Sequence, residues 1–190
     1  MITPRKLFGG LGNTLFQQAY IYAQMKRGEI PDIYLQDEKY FKEFAEDIKA
    51  IYGIGVGSIN KISIHVRRGD YVNNPFYVDL NATDYYERAI ALFPEEKFLV
   101  FCADRQKGSD DIGDMEWCKE RFQGKQFEFF QGKDEVEDFN MQASCKGHIL
   151  ANSSFSWWVA YIGGGVVVAP KQWFTDGEHR ITLLDNWKQI

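Results

Sequence analysis

From about residue 61 onward, short runs of β-branched and aromatic residues alternate with stretches of helical character, and this alternation leaves few folds open. The strand candidates are Ile62–Val66, Phe98–Cys102, Phe127–Phe130, His148–Ala151 and Val166–Ala169. Between them lie helix candidates at Ala82–Phe93, Met115–Phe122, Glu135–Ser144 and Phe155–Ile162. Strands that are largely apolar along their length are buried on both faces, so helices must cover both sides of the sheet. Right-handed crossovers then predict an α/β fold, a Rossmann-like parallel sheet with helices on both faces. Ligands of such sheets gather beyond the carboxyl ends of the strands. The loops after Val66, Cys102, Phe130 and Ala151 are therefore the places to look for chemistry.

The first 60 residues read differently. Gly9-Gly10-Leu11-Gly12-Asn13 opens a helix running from Thr14 to about Arg27, and a second helical stretch runs from about Glu38 to Tyr52. No full sheet is legible there. A chain of 190 residues holds one well-cored domain or two small lobes. The expected division is an abbreviated N-terminal lobe with a glycine-rich loop, residues 1–60, and a Rossmann-like domain, residues 61–190.

A net charge of −5 argues against a broadly basic nucleic-acid binder and leaves room for a local basic site. Cys102, Cys118 and Cys145 show no C-x-x-C spacing, which speaks against a zinc frame or disulfide scaffold and fits a reducing cytosol. Met1–Leu7 has no apolar run of the signal-peptide kind. Gly147–Pro170 carries no Asp, Glu, Lys or Arg. Asn152, Ser153, Ser154, Ser156 and Gly163-Gly164-Gly165 interrupt it, and such breaks need partners that lipid cannot supply. No transmembrane segment is expected. Sequons at Asn81 and Asn152 would matter only in a secreted chain.

Four motifs carry candidate chemistry. The glycines of Gly9–Asn13 permit a tight turn and let backbone N–H groups approach an anion; the plain alternative is a glycine-rich cap. His65-Val66-Arg67-Arg68-Gly69-Asp70 ends the first parallel strand. Guanidinium stays charged and bonds phosphate oxygens as a fork, so adjacent arginines there suit a diphosphate. Their side chains diverge, so one can face the cleft while the other meets a carboxylate such as Asp70. A surface charge cluster is the bland alternative. In Asn152-Ser153-Ser154-Phe155-Ser156-Trp157-Trp158, small hydroxyls stand at a helix N-terminus, where they cap it or hold phosphate. Trp157 and Trp158 read as core. Asp138 could accept two hydrogen bonds from a guanine edge or lie on a solvated acidic helix face. His148 reads as a core histidine. There is no Asp-x-Asp, no Walker lysine loop and no Gly-x-Ser-x-Gly. Arginine and helix dipoles would then have to neutralise any diphosphate, with no metal.

Taken in order, these motifs resemble glycosyltransferase family 11, the α-1,2-fucosyltransferases. The matching pieces are Gly9–Ala19, Glu38-Lys39-Tyr40-Phe41, His65–Tyr71, Asp138 with Met141 and Cys145, Asn152–Trp158 and Ala169–Phe174. The resemblance implies a GT-B-like architecture with a reduced N-terminal lobe, and a second lobe that binds the nucleotide sugar. It implies GDP-β-L-fucose as donor substrate, inverting transfer to a hydroxyl of a glycan or lipid-linked glycan, and no cofactor or metal. Arg67 and Arg68 would meet the diphosphate, with Asp70 and Asn13 counted in the catalytic set. His65 and Asp138 would lie by the guanosine, and Ser153, Ser154 and Phe155 would line the nucleotide side. Gly10, Gly12 and Asn13 would close over the donor from the opposing lobe. The implied location is the cytoplasm, free or peripheral to the membrane's inner face. The chain departs from the family in lacking several dozen residues between the glycine motif and Glu38–Phe41, and in reading Asn13-Thr14-Leu15 where Asn-Gln-Met is common. Two alternatives stay open: a GDP-sugar-binding remnant without transfer, and a transferase for another GDP sugar.

Overall fold

A computed structural model describes residues 23–24, 26–29, 36–52, 57–102 and 113–190. Six strands form one sheet: β1 (Ile59–Val66), β2 (Phe98–Cys102), β3 (Phe127–Phe130), β4 (Cys145–Ile149), β5 (Val166–Ala169) and β6 (Lys188–Gln189). Every pairing is parallel, and the order is β3-β2-β1-β4-β5-β6. The α-helices with described bounds are α1 (Ala45–Tyr52), α2 (Tyr85–Ile90), α3 (Asp114–Arg121), α4 (Glu135–Ala143) and α5 (Ser154–Gly163). The α/β expectation, a Rossmann-like parallel sheet with helices on both faces, holds.

Side-chain alternation along the strands sorts the helices onto the two faces. Ile62, Ile64 and Val66 of β1 and Phe98, Val100 and Cys102 of β2 point one way, into a cluster with Tyr85, Tyr86 and Ala89 of α2 and Met115 and Cys118 of α3. Leu99 and Phe101 point the other way, toward Met141 of α4. On that side α5 brings Trp157, Val159, Ala160 and Ile162 against Leu150, Val167 and Ala169. Trp157 is buried, as a core residue should be. Phe41, Ala45 and Ile48 pack onto the same cluster, with the Phe41 ring stacked on Trp158 at 5.2 Å.

On the α4/α5 side of β1 the alternating positions are polar: Ser63 and His65 are both buried. Each has a partner. Ser63 Oγ meets Nδ1 of the fully buried His148 at 2.8 Å, and His65 Nδ1 meets Ser156 Oγ. A buried polar group without a partner costs stability, and these two pairs tie β1 to β4 and to α5.

Several boundaries differ from the sequence reading. The expected helix from Glu38 to Tyr52 is two 3₁₀ turns, Glu38–Tyr40 and Lys42–Phe44, followed by α1; Phe41 at the joint has φ −147° and breaks the helical path. Ala82–Phe93 shortens to α2. The 3₁₀ turn Leu80–Ala82 precedes it, and Asp79 caps that turn by accepting from the Asn81 amide. β4 starts at Cys145, three residues earlier than the apolar run suggested, because pairing with β1 on one side and β5 on the other overrides the low strand propensity of Lys146 and Gly147. β6 is short and polar, and sequence patterning misses it. The helix expected from Thr14, and with it Gly10, Gly12 and Asn13, falls mostly or wholly outside the described residues. Among the described residues no helix is long and apolar enough to cross a membrane.

Candidate functional site

Sequential strands run outward from β1 to β3 on one side and from β4 to β6 on the other. The winding therefore reverses between β1 and β4. The crossovers on either side of such a reversal leave a crevice beyond the carboxyl ends of the two strands, the usual ligand position in open α/β sheets. The loop after β1 carries Arg67, Arg68 and Asp70, and the loop after β4 carries Asn152, Ser153, Ser154 and Phe155. Tyr71 joins the two loops, its hydroxyl donating to the Asn152 carbonyl at 3.1 Å.

The adjacent arginines take separate roles. Arg68 is buried, donates Nε to Asp114 Oδ1 at 3.0 Å, and lies over the Trp117 ring at 4.2 Å. Arg67 donates Nη2 to Asp70 Oδ1 at 2.6 Å and lies 5.1 Å from the Tyr71 ring centre. Its Nε is buried and has no hydrogen-bond partner among the described residues. A buried guanidinium N–H left unpaired is the kind of donor that an anionic oxygen satisfies. Asp70 itself is half exposed and orients Arg67 from the solvent side.

His65 is neutral. Burial pushes its pKa down to about 3, and the nearby Arg67 charge adds to the shift. Ser156 Oγ accepts the Ala151 amide at 3.2 Å, so its own hydroxyl proton is free to donate to His65 Nδ1. That assignment leaves the ring proton on Nε2. The Phe155 ring packs 5.4 Å from His65 and 5.5 Å from Phe139.

At the start of α5, Ser153 holds the N-cap position with extended backbone but makes no side-chain cap bond. Ser154 is exposed. The plain capping role weighed for these serines is therefore not what their side chains do, and both hydroxyls stand at the positive end of a ten-residue helix. Asp138 is not on a solvated helix face. It is buried and accepts the Gly132 amide on Oδ1 at 2.6 Å, tying α4 to the loop after β3.

Residues 17–190 match the family described as Glycosyl transferase family 11. The chain belongs to that family. It is 31% identical over 142 residues to the O-antigen biosynthesis glycosyltransferase WbnK of Escherichia coli, a match covering 67% of this chain and 44% of the relative. It is 33% identical over 164 residues to an alpha-1,2-colitosyltransferase of Escherichia coli, covering 73% of this chain and 54% of the relative. The chain thus spans about half the length of the curated relatives it matches. No solved structure matches it.

In this family 11 chain Arg67, Asp70, His65, Ser153, Ser154 and Phe155 all stand at or just beyond the carboxyl ends of the central strands β1 and β4. It sends Arg68 into a buried ion pair and sets Asp138 at the β3 side. Sequence reading missed Asp114 and Trp117 as partners of Arg68; they stand 46 and 49 residues on from it, and no local pattern links them. It also missed Ser156 as the partner of His65, although Ser156 stands inside a motif already singled out.

Proposed function

We propose that the chain transfers L-fucose from GDP-β-L-fucose to an acceptor sugar hydroxyl, with inversion and without a metal. The observation that carries the reading is that Arg67, with its unpaired buried Nε, and the α5 N-terminus stand on the two loops that flank the β1/β4 reversal. Residues 61–190 act as the nucleotide-sugar-binding domain, and residues 1–60 as a reduced facing lobe in a GT-B-like pair. Gly10, Gly12 and Asn13 belong to that lobe in this reading. The proposed setting is the cytoplasm or the inner membrane face.

As the bond from C1 to the β-phosphate oxygen breaks, its electron pair stays on the phosphate and negative charge grows there. Arg67 and the α5 amides stabilise that charge more in the transition state than in the ground state, which is what lowers a barrier. Asp70 holds Arg67 in register. Arg68, through Asp114, anchors the loop that carries Arg67. Neutral His65 adds no positive charge beside Arg67 and offers Nε2–H as a donor on the guanosine side, where Asp138 shapes the neighbouring loop. The acceptor oxygen attacks C1 from the opposite face and gives its proton to a base.

The name of one relative, a colitosyltransferase, favours a second donor sugar for the same site. Calorimetry with GDP, GDP-fucose, GDP-mannose and GDP-colitose, followed by a transfer assay on a panel of galactosides, tests both readings. Tight GDP-fucose binding with transfer supports the first. Selective GDP-colitose binding moves the assignment to the second. Binding without transfer to any acceptor reduces the chain to a GDP-sugar-binding remnant.

A further inference from the structure

Beside the arginine loop lies a cleft of ≈590 Å³ with five aromatic residues in its walls: Tyr71, Phe76, Tyr77, Trp173 and Phe174. We propose that this cleft seats the acceptor sugar, an uncharged pyranoside laid with its C–H face on the rings; the assignment rests on the glycosyl-transfer reading above.

Charge argues for a neutral ligand. Arg180 is the cleft's cation, and it is paired with Asp176 and lies over Phe76 and Phe174 at 5.0 and 4.7 Å. A nucleoside diphosphate takes guanidinium N–H groups that no carboxylate occupies: Arg67 meets Asp70 through Nη2 and keeps a buried, unpartnered Nε, whereas Arg180 gives both Nη1 and Nη2 to Asp176. A sugar instead offers polarised C–H bonds to the electron-rich faces of rings and hydroxyls to polar side chains. The cleft has both kinds of partner. The polar groups are Gln36, Asn152 and Ser154. Neither the Gln36 amide nor the Ser154 hydroxyl forms a hydrogen bond with the described residues.

The walls are held together by contacts within the chain. Tyr71 and Tyr77 stack at 3.9 Å and 11°. Tyr77 and Phe174 form an antiparallel bridge, flanked by Val78 N–H donating to the Trp173 carbonyl and Thr175 N–H donating to the Phe76 carbonyl, each at 3.1 Å. Asn152 Nδ2 donates to the carbonyls of Val78 and Trp173 at 2.9 and 3.0 Å, clamping both walls to the loop after β4. Asn152 is thus a positioning residue for the cleft. A preformed surface saves ordering entropy on binding. Tyr71 touches both sites, since Arg67 and Tyr77 each lie against its ring. An acceptor on the aromatic wall therefore sits next to the group assigned to the diphosphate.

The test is saturation-transfer NMR on the full chain with methyl glycosides of β-galactose, α-galactose, β-glucose and β-N-acetylglucosamine, each with and without saturating GDP. Phe76 is 44% exposed, so Phe76→Ala keeps the fold. At least one glycoside should show transfer strongest at the protons of one ring face. Phe76→Ala and Gln36→Ala should each cut that signal at least fivefold and leave the GDP dissociation constant within twofold. Silence from all four glycosides overturns the proposal, as does a signal indifferent to Phe76→Ala. A tenfold loss of GDP affinity in Phe76→Ala also overturns it, by giving the cleft to the donor. Because GDP binding is read separately, failure of donor recognition and failure of the acceptor cleft give different results.

Discussion

Two buried neutral histidines should make this protein lose stability well above the pH at which carboxylates titrate. Burial pushes His65 to about 3 and His148 to about 4, against an ordinary value of 6.5. Both folded values lie below the unfolded one, so the unfolded chain binds more protons between them. Stability is therefore complete above about pH 6.5 and falls as the pH drops toward the folded values. At pH 5 the unfolded rings are almost fully protonated and the folded rings almost not at all. Each histidine then costs about 2 kcal/mol, and together about 4 kcal/mol, relative to neutral pH. That is a large fraction of the roughly 5–15 kcal/mol typical of a domain. The carboxylates of Asp37, Glu128 and Asp176 are held below their usual values by Lys39, Lys61 and Arg180, so their contributions are lost only at lower pH, below that window. Urea unfolding at pH 7 and pH 5 measures the loss, and His148→Asn should reduce it by about half. Imidazole NMR resonances of the folded protein provide a check that needs no variant. If the His65 and His148 signals titrate near pH 6.5, or if stability changes by less than about 1 kcal/mol between pH 7 and 5, the assignment of buried neutral rings is wrong.

The remaining predictions concern single groups. Arg67→Ala should weaken GDP binding roughly ten- to a hundredfold by calorimetry, since a charge-assisted hydrogen bond contributes about 1.5–3 kcal/mol; unchanged affinity removes Arg67 from the site. Asp114→Ala breaks a buried ion pair with Arg68 and should lower unfolding free energy by about 3–5 kcal/mol, read from urea midpoints at constant slope. Gly165 has φ +75°, and a Cβ there would lie 2.1 Å from the Lys146 carbonyl oxygen, so Gly165→Ala should cost at least about 2 kcal/mol by the same assay. Dialysis against EDTA should leave transfer intact, and a strict need for Mn²⁺ would contradict metal-free chemistry.

Local chemistry made much of the fold legible. Phe98–Cys102 and Val166–Ala169 are strands with the bounds their composition suggests, because continuous apolar runs favour a covered sheet, and Phe127–Phe130 keeps its expected bounds as an edge strand with Glu128 exposed. Regions built on tertiary pairing were not legible. Cys145-Lys146-Gly147 becomes strand only because two neighbours bond to it. The reading from Glu38 to Tyr52 missed the break at Phe41, whose ring leaves the helical path to stack on Trp158.

At the site, residue type marked where charge and hydroxyls accumulate. Arg67 and Arg68 at a strand end, and Ser153 and Ser154 before a helix, could be found from sequence. Their spacing also shows that adjacent side chains must diverge. Which arginine turns inward depends on Asp114 and Trp117, which stand far along the chain, and only folding brings them to Arg68. The neutrality of His65 likewise depends on burial, which folding supplies, and its hydrogen-bond partner Ser156 stands 91 residues away. The aromatic cleft is the clearest case: Tyr71 and Tyr77 lie on one loop, Trp173 and Phe174 on another nearly a hundred residues later. Sequence determined which chemical groups this protein carries and the sheet that orders them. Tertiary structure alone decided which groups meet, because contact, burial and charge pairing are properties of distance in space.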